Sequence, residues 1–224
     1  MTSGEELIEP VTASQLAEAV DLVASNGARA WGTREIDLSA VREFLRREQL
    51  KTPEHLPALF VVWVRASCEA LAQVPLLNSR WTDDGIRAFK FVNLGIEVPT
   101  GRGRVVPVVK DADQLALQDL ADALADLVQR AAAGSVTDEE VSGGTFTVAL
   151  AGPDGAVLSR PLLHEGQAGI YHFGRIRQAP VVINDAIAIR PVCNASLAFD
   201  HRILDGASSS RFQNLVKSRL ESWS

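Results

Sequence analysis

Leucines at positions 117, 120, 124 and 127 recur at spacings of three and four, which puts them on one face of an α-helix. The pattern predicts a helix over about 114–133, stopped by Gly134. Runs of a different character lie on both sides. Upstream, 88–98 and 104–109 read as strands around the turn at 100–103. Downstream, 145–151, 168–174, 179–190 and 192–199 read as strands, and 207–221 as a closing helix. An amphipathic helix set between two groups of strands excludes an all-helical or all-strand fold and predicts a mixed α/β domain. Further helices are expected over 14–26, over 38–47 with Ser39 as its cap, and from Pro57 to just before Pro75. A short extended stretch is expected over 29–36, and Thr137 to Glu140 has the form of a capping box on a short helix. Residues 1–11 are expected as a flexible arm and 12–224 as one domain.

Composition narrows the function. The 224 residues carry a net charge of -6 with no compensating basic cluster, which argues against a nucleic-acid partner. The longest apolar run, Leu56 to Ala72, contains Arg65 and Glu69 and reads as a buried helix, not a membrane span. Cys68 and Cys193 each sit in an apolar run, so reduced and buried is the expectation, and no metal-site spacing is present. The N-terminus lacks a signal-peptide core, and a cytoplasmic protein is expected.

The chemistry concentrates in Asp200-His201-Arg202-Ile203-Leu204-Asp205-Gly206, after the apolar run 195–199. Histidine is the side chain suited to moving a proton near neutral pH, and His201 is the one histidine of four with a charged residue on each side. Spacing alone favours a surface ion pair over a catalytic base.

Several stretches, in order, resemble the catalytic domain of the E2 acyltransferases of 2-oxoacid dehydrogenase complexes. They are Glu35 to Ala40, Val74-Pro-Leu-Leu-Asn78, Asn93 to Val98 followed by Gly103 to Asp113, Gly143-Gly-Thr-Phe-Thr147, Gln167 to Ile170, and Asp200 to Gly206. The resemblance spans about residue 12 to the C-terminus. It implies the chloramphenicol acetyltransferase-like fold: a mixed sheet flanked by helices, assembled as a homotrimer with active sites between subunits. It also implies His201 as general base and Asp205 as a mainly architectural partner. Asp200, Arg202 and Gly206 would support the loop, Gly206 by permitting a tight turn and close backbone approach.

Three departures shape the expected function. The family's strand runs from Thr-Phe-Thr into a serine that donates to the oxyanion of the tetrahedral intermediate; here that position is Ala149. Losing such a donor costs about 2.7–4 kcal/mol, and Thr147, two residues back, is the candidate replacement. Tyr171-His172-Phe173 stands where small aliphatics are usual, so His172 is a candidate pocket residue. A third departure is expected from length: 224 residues leave no room for lipoyl or peripheral-subunit-binding domains. From these, the expected function is an acetyl-CoA-dependent O-acetyltransferase with no permanently bound cofactor. Its acceptor would be a small-molecule hydroxyl, as in the stand-alone E2-like enzymes of tetronate and spirotetronate polyketide (antibiotic) pathways. The alternatives are an E2 core exchanging acyl groups between CoA and dihydrolipoamide with lipoyl domains in trans, and a non-catalytic scaffold.

Overall fold

The computed structural model describes residues 4–9, 29–101 and 103–223. The helix expected over 14–26 lies outside these residues. Twelve strands are described: β1 (Glu5–Glu9), β2 (Arg29–Asp37), β3 (Ser79–Thr82), β4 (Gly85–Phe89), β5 (Leu94–Ile96), β6 (Val98–Thr100), β7 (Gly103–Val105), β8 (Val108–Val109), β9 (Phe146–Leu150), β10 (Gly169–Phe173), β11 (Arg177–Ile183) and β12 (Ala186–Asp200). The described helices are α1 (Ser39–Glu48), α2 (Ala58–Gln73), α3 (Leu117–Ala133) and α4 (Gly206–Glu221), and a 3-10 turn spans Pro75–Asn78.

A seven-stranded mixed sheet runs β11-β12-β10-β9-β5-β8, with β2 also paired to β12. β9 is parallel to both β10 and β5, and the other pairs are antiparallel. The axis of this sheet is β12. Its first half pairs with β11, and beyond Pro191 it pairs with β2 on one side and β10 on the other. Three-stranded β1-β4-β3 and two-stranded β6-β7 complete the strands.

Helix α2 is buried on nearly every side, with Phe60 to Val64, Ala66 to Cys68, Ala70 and Leu71 all in the core, so it is the central helix of the layer. Trp63 stacks on Phe173 of β10 at 4.2 Å, while Tyr171 and Phe212 of α4 meet edge to face at 5.2 Å. The helices therefore cover the Tyr171 and Phe173 face of the sheet, and alternation turns His172 to the other face. Amphipathic α3 buries Leu120, Leu124 and Leu127. It ends at Gly134, whose φ of 71° lets Gly134 N bond Ala131 O and Ser135 N bond Arg130 O.

Several expected boundaries move, each for a local reason. Residues 5–9, expected in a flexible arm, pair with β4, and Glu5 meets Arg80 at 2.7 Å. The strand expected over 88–98 breaks between 90 and 93. There Asn93 accepts Asp111 N and donates to Gly143 O, while Val92 N donates to Asp113. The strand expected over 104–109 breaks at Pro107, whose carbonyl accepts Ile96 N. α3 starts at 117 because Ala116 is extended. The capping oxygen of α1 belongs to Asp37, which accepts Ser39 N at 2.8 Å; Ser39 itself is helical. Thr137 and Glu140 do exchange capping bonds, but the chain forms only a turn before Gly143 at φ 69°. The run 179–190 contains a hairpin: Asn184 and Asp185, at φ 49° and 63°, separate β11 from β12.

Candidate functional site: the turn after β12

His201 follows the last residue of β12 on a turn anchored from below. Asp200 N donates to Ala168 O, and Asp200 O accepts Ile203 N and Leu204 N. Ile203 and Leu204 are buried, which drives the turn into the core and leaves the His201 side exposed. Asp200 is 6 % exposed. Its carboxylate takes Nε of Arg202 at 2.9 and 3.1 Å, Nη2 at 2.5 Å and the Arg202 backbone N at 3.0 Å. This pairing raises Arg202 above the ordinary guanidinium value. The Arg202 guanidinium also lies 5.1 Å above the ring of Trp81, on β3. The small sheet therefore grips the turn from outside. The His201 imidazole stacks on Phe199 with centroids 5.7 Å apart, and among the described residues nothing is hydrogen-bonded to its ring.

Asp205 caps α4, accepting Ser208 N at 2.7 Å. Hydrogen bonding from Ser208 holds its carboxyl below the usual range, with His201 a smaller contributor. Gly206 departs from expectation. It opens α4, has no positive φ, and nothing lies within 4 Å of where a Cβ would stand, so neither a tight turn nor close approach requires glycine there.

Thr147 is fully buried and donates to Gln167 Oε1 at 2.8 Å, and Gln167 Nε2 in turn donates to Gly144 O. Its proton is thus already committed inside the protein. Ala149, 2 % exposed, stands opposite His172 across the parallel β9–β10 pair. His172 pairs with Ser196 on β12, five residues before His201. That is roughly 16 Å along the strand, so one chain does not bring the two imidazoles together. His172 Nδ1 lies 2.8 Å from Ser159 Oγ, and burial lowers its pKa below the ordinary imidazole value. The expectations from sequence missed Ser159 and Trp81. Neither sits in a recognisable motif, and both reach their partners across many residues of chain. Cys68 and Cys193 are free and buried, and burial pushes each thiol up to about 12.

A cleft of about 900 Å³ between α1 and the β11–β12 hairpin is lined by Asp37, Arg42, Arg46 and Arg190. A second, of about 540 Å³, is lined by Trp63, Leu150 and Arg175. Both lie toward the end of the sheet away from His201.

The fold is that of chloramphenicol acetyltransferase-like proteins. A chloramphenicol acetyltransferase structure superposes with a TM-score of 0.64 over 96% of this chain and 99% of that chain at 12% identity, a likeness of fold alone. Within that architecture, the model of the family "2-oxoacid dehydrogenases acyltransferase (catalytic domain)" matches residues 4–224, and the chain belongs to that family. The lipoamide acyltransferase component of the branched-chain alpha-keto acid dehydrogenase complex of Bacillus subtilis is 35% identical over 95% of this chain and 52% of its own length. The dihydrolipoyllysine-residue acetyltransferase component of the pyruvate dehydrogenase complex of Mycobacterium bovis is 33% identical over 96% of this chain and 40% of its own. A probable dihydrolipoamide acetyltransferase from Listeria monocytogenes superposes with a TM-score of 0.79 at 30% identity, over 98% of this chain and 96% of that chain. The chain spans about half the length of the curated relatives it matches.

These relatives overturn the expected tetronate O-acetyltransferase. They are named as lipoamide or dihydrolipoyllysine-residue acyltransferase components, so the expectation of a hydroxyl acceptor in polyketide biosynthesis is withdrawn. Among the described residues no helix is long and apolar enough to cross a membrane.

Proposed function

We propose that the chain is an E2-type catalytic core that moves an acyl group between CoA and a dihydrolipoyl group carried on a separate lipoyl domain. The observation that carries this reading is the exposed His201, fixed on a rigid turn in a chain of this family. An unprotonated imidazole takes the proton from the attacking thiol. The thiolate adds to the thioester carbonyl, and the tetrahedral intermediate collapses by breaking the old C–S bond. The imidazolium then protonates the departing sulfur. The Asp200–Arg202–Trp81 clamp and the Asp205 cap hold the imidazole in place and take no proton themselves.

The exposed position of His201 fits a site completed by a second copy of the chain, in a homotrimer. The β11–β12 hairpin supports this, because Val182, Ile187 and Ile189 are 74–80% exposed on its surface, an apolar area suited to a subunit contact. The test is acyl exchange from acetyl-CoA to free dihydrolipoamide and to an isolated lipoyl domain, with a simple alcohol as comparison acceptor. Transfer to dihydrolipoamide far above transfer to the alcohol is the expected result. A preference for the alcohol contradicts the reading.

A further inference from the structure

Ala149 and His172 are both departures in the sequence, and in the fold they are one feature. They are register partners on the parallel strands β9 and β10, about 4.8 Å apart, and both side chains point away from the helices. A methyl group at 149 carries no hydrogen-bond donor and leaves room beside it for a ring at 172. The nearest hydroxyl on β9, that of Thr147, is spent on Gln167 at 2.8 Å. Ser159, on the loop over 151–168, places Oγ 2.8 Å from His172 Nδ1 and 3.4 Å from Nε2. The shorter contact makes Nδ1 the acceptor of the Ser159 hydroxyl, which leaves the ring proton on Nε2. Burial is the largest influence on the ring and lowers its pKa, Arg104 acts in the same direction, and Glu97 opposes them. Glu97 is itself held by Arg104 at 3.2 Å and His164 at 3.4 Å. His172 is therefore a neutral N–H donor near pH 7, in the place where the strand beside it has lost one.

We propose that His172 is the oxyanion donor of the acyl exchange, its Nε2–H replacing the hydroxyl absent at position 149, with Ser159 as the positioning residue that fixes its tautomer. The inference rests on the E2-type reading above, in which the base reaches this face from a second copy of the chain. As the thiolate adds, the thioester C=O becomes a single C–O⁻ bond. Nε2–H donates to that oxygen and keeps its proton. The C–S bond then breaks, the carbonyl re-forms, and the hydrogen bond weakens again. A donor that strengthens only as charge develops lowers the barrier without tightening substrate binding, so it acts on kcat and not on KM.

The test is acetyl exchange between CoA and dihydrolipoamide by the purified full chain, with oligomeric mass and unfolding temperature recorded for every variant. His172→Leu is expected to lose about 10²- to 10³-fold in kcat with little change in KM. Adding Ala149→Ser to that variant returns a donor to β9 and is expected to recover at least about tenfold, while Ala149→Ser in the parent chain changes kcat far less. Ser159→Ala is expected to lower kcat about 3- to 10-fold at unchanged KM, and Ser159→Thr, which keeps the hydroxyl, to restore it. Nitrogen-15 spectra of the imidazole in the parent chain need no variant to fold: a proton on Nε2 is expected, and a proton on Nδ1 overturns the proposal. An active parent whose folded His172→Leu variant keeps its kcat overturns this proposal alone. A folded parent with no exchange at all overturns the E2-type reading and this inference with it, so the two failures are told apart.

Discussion

Replacing Arg202 with leucine strips the Asp200 carboxylate of its charged partner while leaving the packing stem. Asp200 is 6 % exposed, so the residual charge has little water to turn to. Removing one member of a fully buried ion pair costs about 3–5 kcal/mol. The Arg202 side chain is 30% exposed, and Asp200 keeps the Arg202 backbone N–H, so the expected loss is smaller, about 2–3 kcal/mol. For a chain of this size each kcal/mol lowers the unfolding temperature by about 2–4 °C, so thermal unfolding at fixed protein concentration should show a fall of about 4–12 °C. Removing both charges leaves no orphan, so Asp200→Asn with Arg202→Leu should be more stable than Arg202→Leu alone. The Trp81 contact enters as a smaller effect, about 0.5–1 kcal/mol, lost in Trp81→Leu and largely kept in Trp81→Phe. A fall below about 1 °C for Arg202→Leu, or a double variant less stable than the single, would refute the claim that this clamp holds the turn.

Thr147→Ala should cost about 1–2 kcal/mol through the lost bond to Gln167 and leave turnover per folded site unchanged; a fall of about 10²–10³ in kcat would instead make Thr147 an oxyanion donor. Gly174→Ala should destabilise by about 1–3 kcal/mol or more, because its Cβ would meet Val157 O at 2.5 Å and Asn194 O at 2.9 Å, backbone atoms that cannot rotate away; equilibrium denaturation checks this. Burial lowers the folded pKa of His172, so below about pH 6.5 the unfolded chain binds a proton that the folded chain resists. Stability should therefore fall as pH drops from about 6.5 through that folded pKa. His172→Gln should flatten this part of the stability curve, and an unchanged slope would show that His172 is not the group responsible.

What could be read from the sequence follows the range of the forces involved. The leucine spacing of α3, the Gly134 stop and the run after Pro57 are local signals, and the elements formed where those signals lie. The turn carrying His201 was legible because Asp200 to Gly206 is contiguous. Long-range decisions were not legible. Asn93 ties two loops into a knot that breaks a strand, and no neighbour in sequence announces it. The Asn184-Asp185 turn was hidden by the apolar residues on both sides of it. Trp81 and Ser159 take their meaning from partners more than ten residues away, Arg202 and His172. Gly206 was misread because a glycine beside a turn suggests a conformational need that the helix start does not have.

In the proposed function His201 is the base for acyl transfer between CoA and a dihydrolipoyl thiol. The most direct measurement is the steady-state rate of that exchange for His201→Ala beside the parent chain, with oligomeric mass and unfolding temperature recorded for both. A loss of about 10²- to 10⁴-fold in kcat is expected, with an unchanged assembly and little change in KM. Equal kcat in the two proteins would contradict it.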